Sequence, residues 1–90
     1  MRTEEITVYE IKPGDRILHY GMVLLVDQAL AQTNHPVDDG GAVMATRALI
    51  TNWDRVGGFV GNLAPVDVDG NHRWTIQSNG RARWTRILSD

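Results

Sequence analysis

An all-β fold is predicted by three observations: segments that mix β-branched and aromatic residues with polar ones, clusters of Pro, Gly, Asp and Asn between them, and two tight-turn dipeptides ten residues apart, Asp69-Gly70 and Asn79-Gly80. Ninety residues fit one domain with one core. Along the chain, Glu5 to Ile11 reads as a strand, and Lys12-Pro13-Gly14-Asp15 places proline and glycine where a turn expects them. Arg16 to Tyr20 is a short apolar segment ended by Gly21. Met22 to Ala31 is a longer one, whose Val-Leu-Leu-Val centre suits a strand buried on both faces. From Thr33 to Gly41 the density of Asn, Pro, Asp and Gly predicts a mobile loop, residues 33–41. Val43 to Asn52 is read as a strand. Val56 to Leu63, with Gly57, Gly58 and Gly61, is read as a bend.

The two dipeptides then define a three-stranded meander of Ala64 to Val68, Asn71 to Ser78 and Arg81 to Leu88. A two-residue loop at Asn79-Gly80 would put Trp74 and Trp84 on opposite faces. An odd-length loop instead gathers Trp74, Ile76, Ala82, Trp84 and Leu88 on one face and Arg73, Thr75, Gln77, Arg83 and Thr85 on the other. The odd register is favoured because it separates a core face from a solvated one. Six or seven short strands in a chain of this length predict a small SH3-like barrel, with an OB-type barrel or small β-sandwich as the alternative.

Composition narrows the function classes. There are no cysteines, which excludes disulfides, thiolate chemistry and cysteine-ligated zinc. The N-terminus is acidic and lacks an apolar signal core, and the longest apolar run, Met22 to Val26, is far short of the ~20 residues that cross a bilayer. A cytoplasmic protein with no membrane partner is expected. Residues 1–45 carry a net charge of about -4 and residues 46–90 about +2, a polarity that can steer a partner or a second copy.

No catalytic constellation is recognised. His35 with Asp38 and Asp39 lies in a Pro/Gly loop that does not preorganise a metal, and Gly57-Gly58-Phe59-Val60-Gly61 lacks phosphate-loop spacing. The two serines, Ser78 and Ser89, have no triad pattern around them, and the adjacent carboxylate pairs have nothing to split their pKa values. No enzyme activity, metal or cofactor is expected.

The chemistry-bearing stretch is residues 72–88, where Arg-Trp-Thr occurs at Arg73 to Thr75 and again at Arg83 to Thr85. Two readings stand beside each other. In one, Arg73, Arg81, Arg83 and Arg86 contact phosphates while a tryptophan stacks on a base. In the other, both tryptophans fill the core and the arginines are the solvated face of an edge hairpin, and the odd register favours this one. Trp53, followed by Asp54 and Arg55, is the candidate exposed aromatic and could anchor a protein interface. The candidate binding residues are therefore Trp53, Arg55, Arg73, Arg81, Arg83 and Arg86.

Lys12-Pro13-Gly14-Asp15-Arg16-Ile17 followed by Tyr20-Gly21, and Trp74-Thr75-Ile76-Gln77-Ser78-Asn79 followed by Ala82-Arg83-Trp84, resemble small uncharacterised accessory proteins of actinobacteriophages. The resemblance implies a phage accessory protein in the host cell cytoplasm and carries no catalytic residues with it. The expected function is a non-enzymatic binding module acting on a host protein or by homo-oligomer formation. Nucleic-acid binding through the Arg-rich hairpin is one alternative, and binding of a small polar ligand such as a nucleotide is another.

Overall fold

The computed structural model of the protein describes residues 1–89. Seven strands and one helix follow in order: β1 Arg2–Ile6, β2 Arg16–His19, β3 Met22–Val26, β4 Ala31–Gln32, β5 Met44–Ile50, α1 Trp53–Val60, β6 Arg73–Ser78 and β7 Trp84–Ser89. Single 3₁₀ turns lie at Val8–Glu10 and Gly61–Leu63. All strand pairings are antiparallel, so the all-β expectation holds.

The strands join in the order β1-β7-β2-β3-β5, and β5 carries β6 on one edge and β3 followed by β4 on the other. Among the described residues no hydrogen-bonded pairing joins β6 to β7 or to β1, so the sheet does not close. One interior face collects Ile17, Met22, Leu24, Val26 and Ile76, each at most 1% exposed. Burial of such side chains contributes about 1.5–3 kcal/mol apiece.

The turns show why the strands fall where they do. Asp15 N–H donates to the Lys12 carbonyl at 3.1 Å, with Pro13 in front of Gly14 at φ +97°, the arrangement of a type II turn. Tyr20 and Gly21 join β2 to β3 as a two-residue loop flanked by the pair His19 and Met22, and both have positive φ, 49° and 82°. Positive φ at both centres is the signature of a type I′ hairpin turn, whose twist matches that of the strands. Along β3 burial alternates at Met22, Leu24 and Val26, while Val23 and Leu25 are half-buried. The strand stops at Val26, short of the predicted Ala31.

Four expectations are corrected. The strand predicted over Glu5 to Ile11 is displaced to Arg2–Ile6, because Thr7 opens a 3₁₀ turn in which the Glu10 carboxylate accepts the Thr7 N–H at 2.8 Å. The predicted bend at Val56 to Leu63 is mostly the second half of α1. Val56 and Val60 are one turn apart and both buried, and this burial outweighs the low helix propensity of the glycines. The segment Ala64 to Val68 is not a strand; it makes a single bridge, Val66 to His72, and Val68 is fully exposed.

The fourth correction concerns the last hairpin. β6 pairs with β5, and β7 lies between β1 and β2, so Trp74 and Trp84 are not a cross-strand pair. Neither Asn79 nor Gly80 has positive φ, so the dipeptide is not a type I′ turn. Gly80 serves close approach instead: its N–H donates to the Gly40 carbonyl at 2.8 Å, and a Cβ there would lie 2.8 Å from the Tyr9 ring. The 33–41 loop is anchored by this bond and by Tyr9 Oη, which donates to the Ala42 carbonyl at 2.6 Å.

Candidate functional site

Two of the predicted arginines are committed to carboxylates of the same chain. Arg73 donates through Nη1 and Nη2 to the two oxygens of Asp27 at 2.9 and 3.0 Å, and through Nε to Asp67 at 2.6 Å. The turn at Asp69-Gly70 holds Asp67 ready: its Oδ1 accepts the N–H groups of Asp69 and Asn71. The bond from Arg73, with those two backbone bonds, pulls the Asp67 carboxyl down to about 2. The bonds from Arg73 also lower Asp27, and the two carboxylates in turn raise Arg73.

Arg86 is placed by β7 between Glu4 of β1 and Ile17 of β2. Its guanidinium donates to Glu4 through Nε at 2.8 Å and through Nη2, and Nη1 reaches Asp15 at 3.3 Å. Burial pushes the Asp15 carboxyl up, but bonds from the Lys12 side chain and backbone and from Arg86 outweigh it, and the net shift is downward. Bidentate and networked pairs of this kind fix strand ends and leave few donors for a ligand.

The remaining candidates are scattered. Arg81 is exposed and 3.7 Å from Asp39. Arg83 and Arg55 are exposed, the first just before β7 and the second on the outer side of α1. Trp53 is not the exposed aromatic expected; it packs against the core and stacks on His72 with a centroid distance of 3.6 Å and an angle of 8°. His72 Nδ1 is buried beneath this stack without a hydrogen-bond partner among the described residues. Trp84 is 7% exposed and donates from Nε1 to Ser78 Oγ at 2.9 Å, whereas Trp74 is half-buried. Both tryptophans approach His19, at centroid distances of 4.8 and 6.2 Å, and burial holds the His19 imidazole below its ordinary pKa.

The residues that stand out on the surface are ones the sequence reading did not select. Tyr20 is 81% exposed, is the one non-glycine residue with positive φ among the described residues, and sits edge-on to His19 at 4.4 Å. Phe59 is 67% exposed on α1, and its Cζ lies 3.8 Å from the position a Cβ on Gly21 would occupy. Asn52, just before α1, fixes this relation: its Oδ1 accepts the Val23 N–H and its Nδ2 donates to the Gly21 carbonyl, both at 2.9 Å. The helix is thereby fastened to the β2–β3 turn, and Phe59 lies against Gly21, the turn residue next to Tyr20.

A signal for this turn was present in the sequence. Tyr20-Gly21 separates two short apolar segments by two residues, the spacing of a tight hairpin. Phe59, within a glycine-rich stretch, gave no such signal.

Among the described residues no three His, Asp or Glu side chains converge as a metal site would require, and no concave pocket is formed. No helix among the described residues is long and apolar enough to cross a membrane. Comparison with known proteins returns no matching family model, curated protein or solved structure.

Proposed function

We propose that the protein is a non-enzymatic docking module, a phage accessory protein that binds a host protein in the cytoplasm through Tyr20 and Phe59. The observation that carries this reading is Tyr20. A left-handed backbone costs a non-glycine residue about 1–2 kcal/mol, and an 81% exposed ring recovers little of that by burial. Asparagine or glycine would make the same turn at lower cost. A bulky aromatic kept there, beside a second exposed aromatic, is accounted for by contact with a partner, since aromatic residues dominate interface energetics.

The fold is read, in the same proposal, as an open SH3-like barrel. Supporting this is the antiparallel order β7-β2-β3-β5-β6, with β1 added outside β7. Against phosphate binding by the C-terminal arginines stands the direction of their donors: those of Arg73 and Arg86 point at carboxylates.

Photo-crosslinking amino acids placed at positions 20 and 59, with exposed position 75 as control, test the docking reading in an actinobacterial cell. Recovery of one and the same protein from 20 and 59, and not from 75, is the expected result. If neither position enriches any protein over the control, the reading fails.

A further inference from the structure

We infer that Asn79 is a self-modification site: a deamidation site that the 33–41 loop holds shut while docked, and whose reaction then keeps that loop from docking again. Of the chain's five asparagines, Asn79 is the one followed by glycine. Glycine matters because the next residue's amide nitrogen must attack the asparagine's own Cγ, and without a Cβ that nitrogen approaches freely. The N–Cγ bond forms and the Cγ–Nδ2 bond breaks. Water relays the Gly80 amide proton to Nδ2, which leaves as ammonia. Water then opens the resulting succinimide at either carbonyl, giving aspartate or isoaspartate.

The docked loop occupies the nucleophile. Gly80 N–H donates to the Gly40 carbonyl at 2.8 Å, so the attacking nitrogen faces the loop with its proton already bonded. The Asn79 amide is held at both ends: Nδ2 donates to Asp38 Oδ1 at 3.4 Å, and Oδ1 accepts the Arg81 N–H at 2.9 Å. Gly40 lies over this amide, where a Cβ would stand 2.5 Å from Nδ2. Tyr9 fastens the loop from another segment, its Oη donating to the carbonyls of Ala42 at 2.6 Å and Gly40 at 3.3 Å. The bond from Arg81 works in the other direction. It spans two residues, so it stays when the loop lifts, and it sits on the oxygen where negative charge develops as Cγ is attacked. Asn79 is thus polarised for the reaction and kept from it by the loop.

The product does not fit the same place. A carboxylate at position 79 has no N–H to give Asp38 Oδ1, which is itself fixed by the Gly40 N–H at 2.8 Å. It also brings a second negative charge to the position that Nδ2 held, 3.4 Å from the first. The exposed pair of Arg81 and Asp39, at 3.7 Å, offsets little of this. Isoaspartate in addition lengthens the backbone before Gly80 and moves its N–H off the Gly40 carbonyl.

Peptide mapping of the whole chain after incubation at neutral pH tests the gating, because trypsin releases residues 74–81 with Asn79 as their sole asparagine. In urea this peptide should convert to a doublet of aspartyl and isoaspartyl forms, the mark of a succinimide. In the folded protein the conversion should be slower by about tenfold or more, since a docked site reacts only through its open fraction. Tyr9→Phe removes two bonds to the loop and keeps the ring against Gly80, and Asp38→Ala removes the acceptor facing Asn79; each should speed the folded reaction. Circular dichroism establishes that the variant used is folded. Equal rates in folded and urea-treated wild type, or folded variants no faster than wild type, would overturn the gating. Amide hydrogen exchange tests the second half. Asn79→Asp should exchange faster at Gly40, Gly41 and Gly80 and unchanged along β2 and β3, and adding Asp38→Asn, which removes the facing charge, should restore much of the protection. Unaltered exchange in Asn79→Asp, or no restoration in the double variant, would overturn the claim that the product holds the loop away.

Discussion

Arg73 and Asp27, 46 residues apart in the chain, are joined by two parallel bonds of 2.9 and 3.0 Å that tie the start of β6 to the residue following β3. Asp67 completes the arrangement from the loop between α1 and β6. An arginine in this position is a fastening between three segments, and its removal is expected to be felt in stability. Arg73→Ala should lower Tm by about 4–8 °C, the shift that corresponds to roughly 1 kcal/mol in a domain of this size. Arg83→Ala, at an exposed position, should leave Tm within about 2 °C. Thermal unfolding followed by circular dichroism reads both, and equal Tm values for the two variants would contradict the assignment.

Acid should destabilise the fold in two steps. Asp67 is held at about 2 and Asp27 and Asp15 are also lowered, so the folded state binds fewer protons than the unfolded chain as pH falls past the ordinary value of 3.8. Their contribution is complete above that value and is lost as pH descends toward about 2. His19 is shifted the same way by burial, so its contribution is complete above 6.5 and declines below it. Urea midpoints measured from pH 8 to pH 2 should fall first just below 6.5 and again below 3.8. In His19→Gln the upper step should vanish while the lower one remains.

Tyr20→Asn should stabilise the protein. Asparagine tolerates positive φ far better than tyrosine at the first centre of a type I′ turn, so about 1 kcal/mol of strain is relieved, a rise of about 4–8 °C in Tm. The same variant should lose whatever partner contact the ring makes. A fall in Tm would mean that the edge-on contact with His19 outweighs the backbone strain.

Two adjacent glycines of α1 should respond with opposite signs. A Cβ at Gly58 meets nothing within 4 Å, so Gly58→Ala gains helix propensity of about 0.8–1 kcal/mol. A Cβ at Gly57 would lie 2.7 Å from Cε2 of Trp53, a ring held in place by its stack on His72, so Gly57→Ala should lower Tm. If both alanines raise Tm, the Trp53 ring is free to move aside.

The helix itself shows where sequence reading lost its grip. Locally, Gly57, Gly58 and Gly61 argue for a bend, and nothing in the stretch reveals that the Trp53 ring will lie over Gly57 or that Val56 and Val60 will find a core. The Asn79-Gly80 dipeptide misled for the same reason. Its residues suit a hairpin turn, but the chain uses Gly80 to press against Gly40 and Tyr9 while the two flanking strands go to different neighbours. The candidate site followed suit: Arg73 and Arg86 look available in the primary structure and are not.

Sequence alone determined the β character, the turns at Lys12 to Asp15 and around Asp69-Gly70, and the chain breaks at Gly21 and between β4 and β5, because these depend on φ preferences and side-chain alternation over a few neighbouring residues. Tertiary structure decided which strands pair, that α1 forms, which arginines are paired to carboxylates, and that Phe59 lies against the Gly21 turn. Those outcomes depend on partners 29 to 82 residues away, such as Asn52 to Val23 and Arg86 to Glu4, which no local pattern encodes.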